Sequence, residues 1–151
     1  MVHVLERVQV VPRGRAEVFS FFADARNLER LTPAGLSFAI LTPGVIPMRP
    51  GAVIDYRIKV SGVPFRWRTL IEAFEPERRF VDVQTAGPYK RWRHVHEFRD
   101  APGGTEISDR VEYELPFGPL GRAAHALFVR RQLDGIFDYR RAAIDSMFGS
   151  L

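Results

Sequence analysis

The segment from Leu120 to Phe148, LGRAAHALFVRRQLDGIFDYRRAAIDSMF, decides the fold of this chain. It contains no proline, and its apolar residues recur at the spacing of a helix that has one apolar face. Those residues are Ala126, Val129, Leu133, Ile136, Phe137, Ile144 and Met147. At about 1.5 Å per residue such a helix spans roughly 40 Å. We therefore expect one long amphipathic helix that is able to cover a sheet.

The residues that precede this helix alternate between apolar and polar, as antiparallel strands do. Residues 52–60 and 63–69 alternate on either side of a turn at Ser61-Gly62, which predicts a hairpin that pairs Tyr56 with Trp67. The alternation also assigns the inward-facing residues of four other strands. They are Val2, Val4, Val8 and Val10; Val81, Val83 and Thr85; Trp92, His94, His96 and Phe98; and Ile107, Asp109, Val111, Tyr113 and Leu115.

A sheet with one apolar face has to cover that face, and only the terminal helix is long enough to do so. The expected fold is therefore α+β, with a curved antiparallel sheet of about seven strands wrapped around the long C-terminal helix. Two short helices are expected after the first strand, and Asp24 is the expected N-cap of the second. The composition shows no linker or repeat, so residues 1–151 are expected to form a single domain.

The composition excludes several classes of function. The absence of cysteine excludes a disulfide framework, a thiolate metal site and a cysteine nucleophile, and it favours a cytoplasmic location. The net charge is +4, but acidic residues are interspersed among the basic ones, so we expect no nucleic-acid partner. No stretch approaches the roughly 20 apolar residues of a membrane span, and we expect neither a signal peptide nor a transmembrane helix.

The order of the elements resembles the helix-grip superfamily, which includes birch-pollen-allergen-like proteins, StAR-related lipid-transfer (START-type) domains and bacterial polyketide cyclase/dehydrase domains. The segment Asn27–Pro33 looks like the second-helix exit of the bacterial members. Residues 80–84 (FVDVQ), 87–98 (GPYKRWRHVHEF), 109–111 (DRV) and 115–121 (LPFGPLG) are similar to a bacterial branch of unassigned function. Some members of that branch are attached to an epimerase-like nucleotide-sugar domain. The resemblance covers nearly the whole chain and implies an elongated apolar cavity between sheet and helix.

Three ionisable residues, His94, His96 and Asp109, occupy inward-facing positions of the predicted sheet. The predicted register places His96 opposite Asp109 on the neighbouring strand. Burying a polar group without a partner costs about a few kcal/mol, so we expect these groups to be hydrogen-bonded. Glu6 is expected to join them if the first strand lies beside the last.

Four interpretations of this cluster are open from the sequence. It is a satisfied polar network that fixes the sheet register, or it is the polar end of a ligand pocket. In the third interpretation His96 is an acid–base catalyst whose tautomer Asp109 sets. In the fourth, His94 and His96 bind a metal with Asp109 or Glu6 as the third ligand. The fourth lacks further supporting motifs, and we expect neither a metal nor another cofactor.

The favoured function is binding or carriage of a hydrophobic small molecule, lipid or polyketide-like, in the cavity. The predicted ligand-binding residues are Tyr56, Trp67, Trp92, His94, His96, Asp109, Tyr113 and Phe137. The first alternative is a cyclase- or dehydratase-type lyase with His96 and Asp109 as the candidate catalytic residues. The second alternative is an accessory module that docks on an enzyme partner.

The other ionisable residues are predicted to lie at the surface. His3 and His125 have no acidic neighbour at a useful spacing. A solvated basic edge of the long helix is predicted for Arg130, Arg131, Arg140 and Arg141. The functional alternative for that edge is peripheral contact with a membrane of anionic lipid or with an acidic protein partner.

Overall fold

The computed structural model describes residues 1–60 and 62–150, so the predicted turn residue Ser61 lies outside the described residues. The strands are β1 (His3–Val11), β2 (Ala39–Ile40), β3 (Val53–Val60), β4 (Val63–Glu75), β5 (Arg79–Ala86), β6 (Arg91–Ala101) and β7 (Gly104–Glu114). The helices are α1 (Arg15–Phe22), α2 (Gly118–Ala124) and α3 (Arg130–Phe148). Two short 3-10 helices, Ala25–Leu31 and Ala34–Leu36, follow α1, and a π turn, His125–Val129, connects α2 to α3.

The seven strands form one curved antiparallel sheet in the order β1-β7-β6-β5-β4-β3-β2. α2, the π turn and α3 continue one another over 31 residues and form the long C-terminal helix. The expected α+β fold is confirmed, and so are the two short helices after β1. Asp24 caps the first 3-10 helix, because its side chain accepts a hydrogen bond from the Arg26 backbone N–H at 3.0 Å.

Two hairpins have the predicted register. In the β3–β4 hairpin Tyr56 pairs with Trp67, and in the β6–β7 hairpin His96 pairs with Asp109. Both apolar rows of each hairpin therefore lie on the same face of the sheet, because side chains alternate with a period of two.

The prediction for the face of β1 was wrong. Val4 and Val8 are about half exposed, at 49% and 50%, whereas Leu5 and Val11 are buried. The inner face of β1 also carries Arg7, whose guanidinium reaches the carboxylates of α3, and that polar residue hides the true alternation. Inward-facing polar groups on an edge strand are stable here because the helix supplies their partners.

The prediction for the face of β5 was also wrong. Phe80 and Asp82 pair with His96 and His94 on the concave side, while Val81 is buried on the opposite face beside Val95. The register of β4 against β5 shifts at two irregularities, between Arg68 and Thr69 and between Ile71 and Ala73. Along β5 itself, however, the inward-facing Asp82 is polar and the outward-facing Val81 is apolar, so the hydrophobic alternation indicates the wrong face. The predicted inward residues Val83 and Thr85 face away with Val81.

Two apolar clusters fill the ends of the space between sheet and helix. One joins α1 and the end of α3 to the sheet through Phe19, Phe22, Phe98, Ile107, Ile144 and Phe148. The other packs the first turns of α3 on β1 and β7 through Leu5, Val111, Tyr113, Leu133 and Phe137. These clusters fix the helix across the concave face and leave a cavity between them.

The start of β7 approaches β1 too closely for a side chain. A Cβ on Gly104 would lie 1.8 Å from the backbone oxygen of Val11. We therefore expect Gly104→Ala to lower the free energy of unfolding by at least about 2 kcal/mol, because the backbone itself has to move.

The matched control is Gly135→Ala in α3, where an added Cβ meets nothing within 4 Å among the described residues. Alanine is the better helix former, so this variant should be more stable by about 0.5–1 kcal/mol. Urea denaturation of both variants measures the difference. Equal stability of Gly104→Ala and the wild type would contradict the close approach of the two strands.

Candidate functional site

A cavity lies between the inner face of strands β3 to β6, the 3-10 helices and α3. The volume of the cavity is about 190 Å³. About 10–15 Å³ of such volume holds one buried water, so the cavity has room for a small organic molecule. Its lining includes Phe22, Leu31, Phe38, Ile40, Ile54, Tyr56, Ile58, Trp67, Tyr89, Trp92, Leu133, Ile136 and Phe137.

One wall of the cavity is aromatic. The rings of Trp67 and Trp92 meet edge to face with centroids 5.2 Å apart, and Tyr56 stacks on Trp67 at 5.8 Å. Tyr89 packs against Trp92 at 4.9 Å. The side-chain amide of Gln84 holds Tyr89 in place, since it donates to the Tyr89 carbonyl at 2.6 Å and accepts from the Tyr89 N–H at 3.0 Å. The wall is therefore a supported aromatic surface.

Two polar groups interrupt the aromatic wall. The Tyr56 hydroxyl and the Thr69 hydroxyl share a hydrogen bond of 2.9 Å, and burial raises the pKa of Tyr56, which keeps the phenol neutral. The indole N–H of Trp67 is buried and has no hydrogen-bond partner among the described residues. A buried donor without a partner is energetically costly.

A cluster of charged and imidazole groups forms the polar end of the cavity. His94 donates from Nε2 to Asp109 Oδ1 at 2.8 Å, and His96 contacts Asp82 Oδ2 through Nε2 at 2.5 Å. The two imidazole rings stack with centroids 3.6 Å apart. The expected pair of His96 with Asp109 faces across the strands, but the His96 Nδ1 lies 3.6 Å from Asp109 Oδ1 and makes no hydrogen bond.

Arg140 is the residue that holds this cluster together. Its Nε and Nη2 donate to the two carboxylate oxygens of Asp109 at 3.1 Å and 3.0 Å, and only 6% of Arg140 is exposed. Its guanidinium also lies over the Phe22 ring, 5.1 Å from the centroid. The predicted solvated position of Arg140 was wrong. Helical spacing could have found it, because Arg140 lies three residues after Phe137 and four before Ile144, both buried.

The surroundings of the cluster lower the pKa values of His96, Asp109 and Asp82. Burial, reinforced by the neighbouring His94, lowers the pKa of His96 to about 4 despite the adjacent carboxylates. Burial alone would raise the pKa of Asp109, but Arg140 and the histidines outweigh it and hold that pKa well below its usual range. The pKa of Asp82 is likewise lowered, since the hydrogen bond from His96 and the nearby positive charges outweigh its burial.

Six of the predicted ligand-binding residues line the cavity: Tyr56, Trp67, Trp92, His94, His96 and Phe137. The other two lie behind its lining. Asp109 is covered by Arg140 and the histidines, and the Tyr113 hydroxyl is hydrogen-bonded to His125 Nε2 at 2.8 Å. Asp82, Tyr89 and Arg140 line the cavity and were missed.

Three other predictions concern histidines and a carboxylate outside the cavity. Glu6 lies on the exposed face of β1, where it pairs with Arg110, so it does not join the cluster. His3 and His125 are half-buried and stack with centroids 3.4 Å apart. A position at the surface or at an edge was predicted for both, and His3 lies on β1, an edge strand of the sheet. Tyr113 supplies a partner for His125 that sequence spacing did not show.

Lowering the pH should destabilise the fold through His96. The folded pKa of about 4 lies below the ordinary 6.5, so between these values the unfolded chain binds a proton that the folded chain excludes. Stability should therefore fall by as much as a few kcal/mol as the pH drops through this range. The lowered pKa values of Asp82 and Asp109 extend the loss to more acidic pH.

Urea denaturation of the wild type and His96→Gln across this pH range measures the effect. Glutamine retains a donor for Asp82 but cannot titrate, so the loss of stability between about pH 6.5 and pH 4 should be smaller in the variant. Identical pH dependence in both proteins would show that His96 is not buried in its neutral form.

Solved structures of proteins from several organisms share this fold. A Chromobacterium violaceum protein matches with a TM-score of 0.74 at 12% identity, over 98% of this chain and 98% of that one. The major latex-like protein of Panax ginseng matches with a TM-score of 0.69 at 12% identity, over 98% of each chain. The nucleoside-diphosphate sugar epimerase of Corynebacterium glutamicum matches at 27% identity with a TM-score of 0.67; the match covers 92% of this chain but 28% of that one.

No described helix combines the length and the apolar character of a membrane span. No curated protein sequence matches the chain at a significant level. The family model described as "Polyketide cyclase / dehydrase and lipid transport" matches residues 11–136, which run from the last residue of β1 through β7 and α2 to the first turns of α3. The chain belongs to this family of polyketide cyclase/dehydrase and lipid-transport proteins.

Proposed function

We propose that this protein binds a largely apolar small molecule in the cavity without transforming it chemically. The observation that carries the proposal is a preformed cavity with an aromatic wall at one side and a fixed polar cluster at its end. Ligand sites of this kind combine a predominantly apolar lining with a few polar groups that set the orientation. The family and the fold support binding of a hydrophobic ligand.

The polar groups indicate what the ligand carries. Asp82 lines the cavity and offers a carboxylate oxygen to a hydroxyl group. Two carboxylates against the one guanidinium of Arg140 disfavour an anionic headgroup, because like charges repel strongly where water is scarce. The best-fitting ligand is therefore a neutral, aromatic or polyketide-like molecule with a hydroxyl group.

The geometry favours binding over lyase chemistry. The predicted acid–base role requires Asp109 to set the tautomer of His96, but His96 Nδ1 makes no hydrogen bond to Asp109 and His96 Nε2 contacts Asp82 instead. A base with the lowered pKa of His96 also has little affinity for a substrate proton at neutral pH. The alternative of an accessory module that docks on an enzyme rests on the members of the similar bacterial branch that are attached to an epimerase-like domain. It remains a prediction.

Titration with phenylnaphthylamine, a neutral dye that fluoresces in apolar surroundings, tests the proposal. We expect saturable binding with a Kd on the order of micromolar for the wild type. Ile136→Trp places a larger side chain in the cavity and should weaken binding at least about tenfold, a loss of about 1.4 kcal/mol. Ile58→Phe fills the opposite wall and serves as a second test if Ile136→Trp does not fold.

The matched control is Leu127→Trp, on the same long helix but 66% exposed. It should bind the dye as the wild type does. Circular dichroism spectra have to show that each variant is folded. Equal affinity in the wild type, Ile136→Trp and Ile58→Phe would place the dye elsewhere and contradict the proposal, as would no binding to the wild type.

A further inference from the structure

The polar end of the cavity brings three metal-ligating side chains together. Asp82, His94 and His96 each offer one oxygen or nitrogen, and these three atoms lie within 4.8 Å of one another. Asp82 Oδ2 lies 2.5 Å from His96 Nε2 and 3.9 Å from His94 Nδ1. Two imidazole nitrogens and one carboxylate oxygen are a donor set that suits a divalent transition metal better than Mg²⁺ or Ca²⁺.

The outer contacts prepare His94 to act as a ligand. The Asp109 carboxylate is held by Nε and Nη2 of Arg140 and can only accept hydrogen bonds. His94 Nε2 therefore carries the proton of the hydrogen bond between them. The lone pair of a neutral His94 is then on Nδ1, the nitrogen that faces Asp82. A metal-bound histidine ordinarily donates its other N–H to a carboxylate in this way.

His96 shows a hydrogen-bonding conflict that a cation would relieve. Both of its nitrogens face carboxylates, Nε2 toward Asp82 and Nδ1 toward Asp109, yet a neutral imidazole has only one N–H. Nδ1 is buried and has no hydrogen-bond partner in the described part of the chain. With a cation between Nε2 and Asp82, the proton would move to Nδ1 and face Asp109.

The charge balance points in the same direction. Asp82 and Asp109 are two buried or nearly buried carboxylates, and Arg140 is the guanidinium that faces them. Two carboxylates against one guanidinium leave the group one positive charge short, and a net buried charge is costly. A divalent ion would overcompensate by one charge, which a hydroxide ion balances.

We propose that Asp82, His94 and His96 bind a divalent transition-metal ion such as Zn²⁺, with Asp109 and Arg140 orienting the ligands from behind. Metal–ligand distances of about 2.0–2.2 Å place neighbouring ligand atoms roughly 3.3 Å apart, so Asp82 has to move slightly away from His96. The stacked rings of His94 and His96 also have to turn, because each lone pair lies in the plane of its ring. Asp82 lines the cavity and has space to do so. The remaining coordination position faces the cavity. This site does not depend on the proposed organic ligand.

Titration of chelator-treated protein with Co²⁺, followed by visible absorption and calorimetry, tests the site. We expect one ion per chain with a Kd on the order of 1 µM or tighter, and the intense absorption of a four-coordinate site. Asp82→Asn keeps the shape of the side chain and should weaken binding at least about tenfold. His94→Gln is the second variant, and a comparable loss is expected there.

The matched control is His125→Asn, because His125 and His3 form the other close histidine pair that the structure describes. It should bind Co²⁺ as the wild type does. Binding that is lost in His125→Asn and retained in Asp82→Asn would overturn the proposal, and so would the absence of binding to the wild type. Phenylnaphthylamine binding to metal-free protein reports separately on the cavity, so failure of one proposal is distinguishable from failure of the other.

Discussion

The buried ion pair between Arg140 on α3 and Asp109 on β7 is the interaction on which the rest of the site depends. It joins the long helix to β7, the strand next to the edge strand β1, through two hydrogen bonds of 3.1 Å and 3.0 Å. Removing one partner of such a pair leaves an uncompensated buried charge, which costs about 3–5 kcal/mol. The pair also orients Asp109 toward His94, and His94 in turn stacks on His96. The same ion pair therefore fixes both the position of the helix and the arrangement of the histidines.

The charged cluster around this pair explains why the space between the sheet and the helix stays open. Apolar clusters close the space between sheet and helix at both ends, and the charged cluster lies between them. Apolar side chains packed over Asp82 would bury a carboxylate without adequate solvation, which is unfavourable. A cavity that admits water or a polar atom of a ligand avoids that cost. Both the proposed ligand binding and the proposed metal site supply polar contacts to the Asp82 carboxylate.

Much of the fold was predictable because its signals are local. The β3–β4 and β6–β7 hairpins follow from strict alternation, and the long helix follows from a proline-free apolar stripe. The faces of β1 and β5 were not predictable, because the inward-facing Arg7 and Asp82 are polar and find their partners on α3 and β6. Asp82 was missed for this reason. The actual partners of the two histidines depend on Arg140, whose charge suggested a surface position that its helical spacing contradicts.

The most direct test of this account is a double-mutant cycle on Arg140→Met and Asp109→Asn, with the free energy of unfolding measured by urea denaturation at neutral pH. We expect each single variant to be strongly destabilised and the double variant to lose less than their sum, with a coupling energy above about 2 kcal/mol. Additivity within about 0.5 kcal/mol would show that the two side chains do not interact, and would contradict the account.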